Sequence, residues 1–290
     1  MLQNLEIIEQ GKIKRLSLRF NKVNIFIGHD GAGKSLILDM IRKKLGHNVS
    51  YLDTSEPKLQ MAQAFHKIFK ELSEFLKAEY IEFFEKETKS RNYGKDAETG
   101  EDIIYTTEPE EDDYPYSVDI ANARTIIQSI GAEDYISDKT QNYKVQFMNG
   151  PYWLQWNELT VGQMQTVRIL YAILFADESN ILFNRAESAC FPAIFQQMAH
   201  NLLVSRKQSF IITDTILLYR FLNPELHEEL SKIKNRNTWE DINLFICYIS
   251  GENKEYRIGS RTSVKMLTGA ELQEYAKNED LFDFVSKYYK

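Results

Sequence analysis

The chain of 290 residues is 43% apolar and 27% charged, an ordinary globular composition with length for one large α/β domain or a core plus a subdomain. A net charge of −7 and a pI near 5.4 remove any global electrostatic case for nucleic acid; the local basic stretches 12–19 and 42–44 read as solvated faces. Cys190 and Cys247, both in apolar surroundings, read as buried thiols in a reducing compartment, and His29, His47, His66, His200 and His227 lack metal-ligand spacing. No secretory signal and no apolar stretch of membrane-spanning length are visible, so the expected setting is cytoplasmic, with no membrane contact.

Residues 5–8 and 13–20 cluster or alternate apolar side chains around Gly11 and predict two strands and a turn, with a third strand over 23–27. That third strand runs into Gly28-His29-Asp30-Gly31-Ala32-Gly33-Lys34-Ser35, and Leu36, Ile37, Met40 and Ile41 follow at helical spacing. Strand, glycine loop, Lys-Ser and helix form the context that confirms a G-x-x-x-x-G-K-[ST] pattern. In such a loop the backbone N–H groups, through that of Leu36, converge on phosphate oxygens at the positive end of the helix dipole. Lys34 is then expected on the β- and γ-phosphates of a nucleoside triphosphate, and the Ser35 hydroxyl on Mg²⁺.

A short strand is expected over 49–52, then a long helix over 56–89 whose stripe is rich in aromatics (Phe65, Phe69, Phe75, Tyr80, Phe84). Residues 91–116 hold nine carboxylates and two prolines among few apolar residues and read as an exposed acidic loop. A helix over 121–130 and a strand pair, 143–147 with 153–156 around Asn149-Gly150, come next. The α/β alternation then returns: helix 164–175, strand 181–183, helix 191–204, strand 209–213 and helix 216–222. A hairpin of 242–249 with 255–258 around Gly251 and a helical tail over 269–289 complete the chain.

Thr160-Val161-Gly162-Gln163 opening a helix resembles the signature motif of ABC-type ATPases, although Thr160 there is also an ordinary N-cap. The stretch from Gly11 to Ser35 resembles the opening of the SMC, RecF and OLD branch of that superfamily, with Asp30 where Asn is usual. The resemblance covers 5–44 and 156–222. It implies a P-loop NTPase of ABC type, an α/β fold with a small N-terminal antiparallel β-layer and a helical insertion. The nucleotide-binding core would comprise 1–55 and 150–290, and the insertion 56–149. It also implies that Thr160, Gly162 and Gln163 contact the γ-phosphate of ATP held by a second subunit, in a homodimer or a heterodimer with an ABC-type partner. Nuclease or effector partners, and settings in DNA maintenance or defence, belong to the same family expectation; net charge lends DNA no support.

Three further positions depart from the family pattern. After the strand 181–183, Asn184 stands at the Mg²⁺ carboxylate and Arg185 at the catalytic carboxylate, while Glu187 keeps the second acidic position. Asp214 stands where a histidine senses the γ-phosphate. An Asn brings no negative charge to a metal and an Arg cannot act as a base. Loss of such a group costs about 10²–10⁴-fold in rate. The leading expectation is therefore an ATP-binding, nucleotide-gated dimerising or regulatory subunit with weak or absent hydrolysis. One alternative is an active ATPase with relocated carboxylates, Glu187 or Asp177; another is an interaction module whose phosphate loop is vestigial. Asp177-Glu178 ends an apolar run but lies 14 residues after Gln163, against 21 for Asn184, which favours Asn184 as the strand end.

Overall fold

The computed structural model describes residues 1–89, 93–95, 102–104, 117–137, 142–149, 152–154, 159–190, 194–213, 215–250 and 261–278. They fall into two compact units, Met1–Lys58 with Arg168–Lys290, and Leu59–Val167. The protein is mixed α/β.

The first unit holds strands β1 (Asn4–Gln10), β2 (Ile13–Arg19), β3 (Val23–Gly28) and β4 (Ser50–Asp53), with helix α1 (Lys34–Leu45) between the last two. β1 and β2 pair antiparallel as a separate two-stranded sheet. The later strands of this unit are β10 (Asn180–Asn184), β11 (Gln208–Ile212), β12 (Ile242–Ser250) and β13 (Arg261–Thr268). They join β3 and β4 in a six-stranded sheet ordered β13-β12-β3-β11-β10-β4, parallel except for the β12–β13 pair.

A parallel sheet is buried on both faces, so its strands read as continuous apolar runs while successive side chains go to opposite sides. Ile25, Ile27, Ile181, Phe183, Ile211, Leu244 and Ile246 enter one core cluster. Their neighbours Phe26, Leu182, Phe210, Ile212, Phe245 and Cys247 enter the other. On the first face pack α5 (Ile194–Val204), α6 (Thr215–Phe221), α7 (Pro224–Lys234) and α8 (Gly269–Asn278), through residues such as Met198, Leu217, Leu230 and Leu272. On the second lie β1, β2 and α1, through Leu5, Ile7, Ile13, Ile37 and Ile41. Phe26 stacks on Phe245 at 4.7 Å between ring centroids. Each such fully buried large side chain contributes about 1.5–3 kcal/mol relative to exposure. The basic run at the end of α1 complements the negative end of its dipole, and Arg42 lies 4.3 Å above the Tyr51 ring.

The second unit contains α2 (Lys58–Lys89), which begins one residue before it, β5 (Tyr93–Lys95), β6 (Asp102–Ile104), α3 (Val118–Gln128), β7 (Ala132–Ser137), β8 (Asn142–Asn149) and β9 (Tyr152–Leu154). Met61, Phe65, Leu72 and Leu76 are the buried stripe of α2. Ser117 caps α3 by accepting from the Ile120 N–H at 3.1 Å. Helix α4 (Val161–Leu174) starts in this unit and ends in the first.

Several expected elements need correction. The acidic stretch 91–116 is not loop throughout: β5 and β6 pair antiparallel within it, Tyr93 opposite Ile104 and Lys95 opposite Asp102. The rest of that stretch lies outside the described residues. β7 was not expected, because its Ala-Glu-Asp-Tyr start has no two-residue apolar period; α7 was not expected either, although Asn223 and Pro224 mark its start and Leu226, Leu230 and Ile233 recur at helical spacing. The partner of β12 is β13, registered Ser250↔Arg261 through Asn243↔Thr268. The strand expected over 255–258 lies outside the described residues. Both cysteines are buried free thiols, and burial pushes the Cys247 thiol up to about 12, against a smaller downward pull from Lys34. No helix among the described residues is long and apolar enough to cross a membrane.

Candidate functional site

In a parallel sheet the crevice for a ligand lies beyond the carboxyl ends of the strands. The register brings four such ends of the first unit into one row, with Phe26 opposite Ile212, Ile212 opposite Asn184, and Asn184 opposite Asp53. Beyond that row β3 runs two residues further, to Gly28 at the start of the glycine loop, and β10 gives way to Arg185.

Gly28 ends β3 with φ 135°, and a Cβ built there would lie 1.9 Å from the carbonyl oxygen of Cys247, its register partner on β12. Only glycine allows that approach. Gly33, left-handed at φ 88°, is the N-cap of α1 and supplies no side-chain bond to the helix start. The first N–H groups of a helix have no intrahelical acceptor, so the end of α1 offers donors to an anion. The loop closes on itself through the Ala32 N–H to the His29 carbonyl at 3.1 Å. Lys34 is buried, and its Nζ donates to the carbonyl of Gly28 and, at 2.8 Å, to that of His29. The ammonium is thereby held inside the loop.

Beside the loop is a cavity of about 380 Å³ lined by Asp30, Gly31, Gly33, Lys34, Ser35 and Leu36 of the loop and helix. Its other wall is Asp53, Thr54 and Ser55 after β4, Ile212 of β11, and Asn184 and Arg185 at the end of β10. The sequence-derived residues Asp30, Gly31, Gly33, Lys34, Ser35, Leu36, Asn184 and Arg185 thus meet in one space. Gly28, His29 and Ala32 belong to the same loop but are not among the lining residues.

Asn184 turns its amide to Asp53, donating from Nδ2 to Oδ2 at 2.7 Å. The Tyr51 hydroxyl donates to the same oxygen at 2.8 Å, and the Ser55 N–H to Oδ1 at 2.8 Å. Burial alone would raise the Asp53 pKa, but these donors outweigh it and hold the carboxyl below its ordinary value. Burial, followed by the hydrogen bond to Asp53, pushes the Tyr51 phenol up to about 12. Asp53 is therefore a carboxylate on the cavity wall at neutral pH. Sequence reasoning missed it. The available signal was an acidic residue closing a short strand, but which strand lies beside β10 is set by topology.

Arg185 has left-handed backbone (φ 54°), anchored by its N–H to the Ile212 carbonyl at 2.9 Å. Its Nη2 pairs with Asp30 Oδ1 of the glycine loop. The Arg185 guanidinium, bonded to Asp30 and close to it, holds that carboxyl below its ordinary pKa, with a smaller contribution from Lys34. Asp30 of the glycine loop and Arg185 after β10 are therefore each other's partners.

Glu187 is 3% exposed in a short 3-10 turn (Ala186–Ala189) and accepts from the Thr213 hydroxyl at 2.5 Å; it does not line the cavity. Asp177 and Glu178 lie in the turn leading into β10, where Glu178 accepts from Ser50 at the start of β4 at 3.0 Å. That is the amino-terminal end of these parallel strands, opposite the end that carries the glycine loop, which removes Asp177 as a relocated carboxylate. Asp214 lies outside the described residues.

Thr160, Gly162 and Gln163 belong to the second unit and form the start of α4. The Gln163 side chain accepts from the Thr160 N–H at 2.9 Å and from its hydroxyl at 3.0 Å. The Gln163 N–H donates back to Thr160 Oγ1 at 3.2 Å, completing a capping box.

Comparisons with known proteins add a distant structural likeness. No family model and no curated protein matches the chain. Among solved structures it is similar to a crystal structure of the SmcHead bound to the C-winged helix domain of ScpA. The TM-score is 0.44 at 11% identity, over 92% of this chain and 97% of that one.

The donor set suits a hard cation. Ser35 and Asp53 present a hydroxyl and a carboxylate to the same cavity, oxygen ligands of the kind Mg²⁺ takes together with phosphate and water. No group of three or more His, Cys, Asp or Glu gathers among the described residues, so a metal cage made by protein alone is not built there.

Proposed function

We propose that the chain is a P-loop NTPase of ABC type that binds ATP and uses it as a gate for association rather than as fuel. In this reading 1–55 and 150–290 form the nucleotide-binding core and 56–149 an insertion. The observation that carries it is the cavity wall: Lys34 and Ser35 stand on one side, and on the other the end of β10 presents an amide and a guanidinium instead of two carboxylates. The loop N–H groups and Lys34 would hold the β- and γ-phosphates, and Ser35 and Asp53 would hold Mg²⁺, whose bound charge would neutralise the phosphates. Arg185 cannot take a proton from water. Triphosphate binding still supplies free energy to whichever conformation or assembly binds it better.

Thr160 and Gly162 would meet the nucleotide of a second subunit, homologous or identical, so that ATP closes a dimer. DNA maintenance or defence, with a nuclease or effector as partner, is the family's setting and belongs to this proposal. The test is calorimetric titration with ATP, with and without Mg²⁺. Wild type is expected to bind, and Lys34→Ala to lose at least tenfold in affinity, the worth of one charge-assisted phosphate contact of about 1.5–3 kcal/mol. Failure of wild type to bind ATP overturns the proposal and leaves the interaction-module reading.

Asp53 favours a second reading, a working ATPase whose carboxylate has moved from β10 to β4. Phosphate release on the order of one per second, abolished by both Lys34→Ala and Asp53→Asn, would establish it over the first.

A further inference from the structure

Arg185 sits where a carboxylate would be expected in a working site of this kind, yet it is not a loose surface side chain. Its backbone is left-handed and tied to Ile212 on β11, which fixes the side chain's origin at the cavity rim. Its guanidinium reaches across to Asp30 in the middle of the glycine loop, and both residues line the same cavity as Lys34 and Ser35. The two partners are unequal in setting: the Arg185 side chain is 37% exposed and that of Asp30 is 83% exposed. An exposed ion pair contributes little net stability, so the guanidinium can exchange its partner at small cost. A triphosphate brings more negative charge than one carboxylate and offers oxygens that a guanidinium fork binds in pairs.

We propose that Arg185 is a ligand of the terminal phosphate, supplied from the same chain, and that Asp30 is its resting partner in the empty loop. Nucleotide binding then exchanges the Arg185–Asp30 pair for an Arg185–phosphate pair. The inference deepens the ATP reading and rests on it. It gives the substitution at the catalytic position a positive role: the residue that cannot activate water instead distinguishes ATP from ADP, because only ATP carries the phosphate it reaches. Asp30 contributes a threshold, since its carboxylate competes with the phosphate for the guanidinium and is left without that counter-charge once the exchange is made.

The experiment is calorimetric titration of wild type, Arg185→Asn, Asp30→Asn and the double variant with ATP and with ADP. Asn tolerates the left-handed backbone of residue 185, and both side chains lie at the surface, so folding is retained; circular dichroism checks this. Arg185→Asn is expected to weaken ATP about ten- to hundredfold while moving ADP less than threefold, the range for a hydrogen-bonded charge contact. Asp30→Asn is expected to tighten ATP a few fold in the wild-type background, and by less when Arg185 is already Asn. An equal loss of ATP and ADP affinity in Arg185→Asn overturns the proposal. So does an Asp30→Asn gain that is the same in both backgrounds, because Asp30 then acts by its charge alone. If wild type binds ATP in a Lys34-dependent manner and these outcomes follow, only this inference falls. If wild type binds no ATP, the nucleotide reading beneath it falls too.

Discussion

Gly28→Ala adds one methyl group at the end of β3, and the structure puts it 1.9 Å from the Cys247 carbonyl oxygen and 2.9 Å from its carbon. Favourable contacts between such atoms lie near 3.5–4.0 Å, so the overlap exceeds an ångström. The neighbour is backbone, not a flexible side chain. Cys247 is fully buried and is held on its other side by pairing with Val264 of β13. The φ of 135° adds a conformational cost, since that region is nearly closed to residues with a Cβ. Strain of about 1–3 kcal/mol and overpacking of about 1–3 kcal/mol together give an expected loss of about 2–6 kcal/mol. Gly46→Ala is the control: φ there is 66°, but an added Cβ has no neighbour within 4 Å, so the left-handed cost of about 1–2 kcal/mol stands alone. Urea unfolding followed by Trp239 fluorescence, with Trp153 and Trp156 replaced by Phe, reports on the unit that contains both glycines. If Gly28→Ala proves no more destabilising than Gly46→Ala, the close approach of β12 to the loop is wrong. The expected result would assign Gly28 a requirement imposed by the sheet, independent of any phosphate.

Two further outcomes concern titratable groups. Asp53→Asn should bind ATP in the absence of metal about as well as wild type but lose the tightening that Mg²⁺ produces in wild type; an unchanged Mg²⁺ effect would remove Asp53 as a ligand. His227 is buried, stacked 3.8 Å from Trp239, with its ring nitrogens 2.9 Å from Thr238 Oγ1 and 2.7 Å from the Phe221 carbonyl. Burial is the main cause of its lowered pKa, against smaller upward pulls from Phe221 and Asp241. The folded protein therefore binds fewer protons at this site than the unfolded chain. The stability due to neutral His227 is full above about pH 6.5 and is lost as pH falls below it, at no more than about 1.4 kcal/mol per unit. Urea unfolding between pH 8 and 5 should show this slope in wild type and not in His227→Gln. Parallel slopes would refute it.

Local pattern alone was enough for the strand, glycine loop and helix from Val23 to Leu45, because glycine spacing and apolar period act within a dozen residues. It was also enough for the apolar strands expected over 181–183 and 209–213, which form as β10 and β11, and for the amide of Asn184 and the guanidinium of Arg185 at the end of the first. The N-cap of α4 was legible for the same reason, since the Thr160 hydroxyl accepts from a backbone N–H one turn away. Strand order is different in kind. β10 lies between β11 and β4, about 130 residues upstream, and no local signal in either segment states that pairing. That order makes Asp53 the partner of Asn184. It also turns Asp30 and Arg185, two isolated oddities in the chain, into one ion pair across the cavity. Side-chain chemistry and short-range periodicity are properties of neighbouring residues, whereas the company a strand end keeps depends on long-range burial of both sheet faces, which only the folded chain resolves.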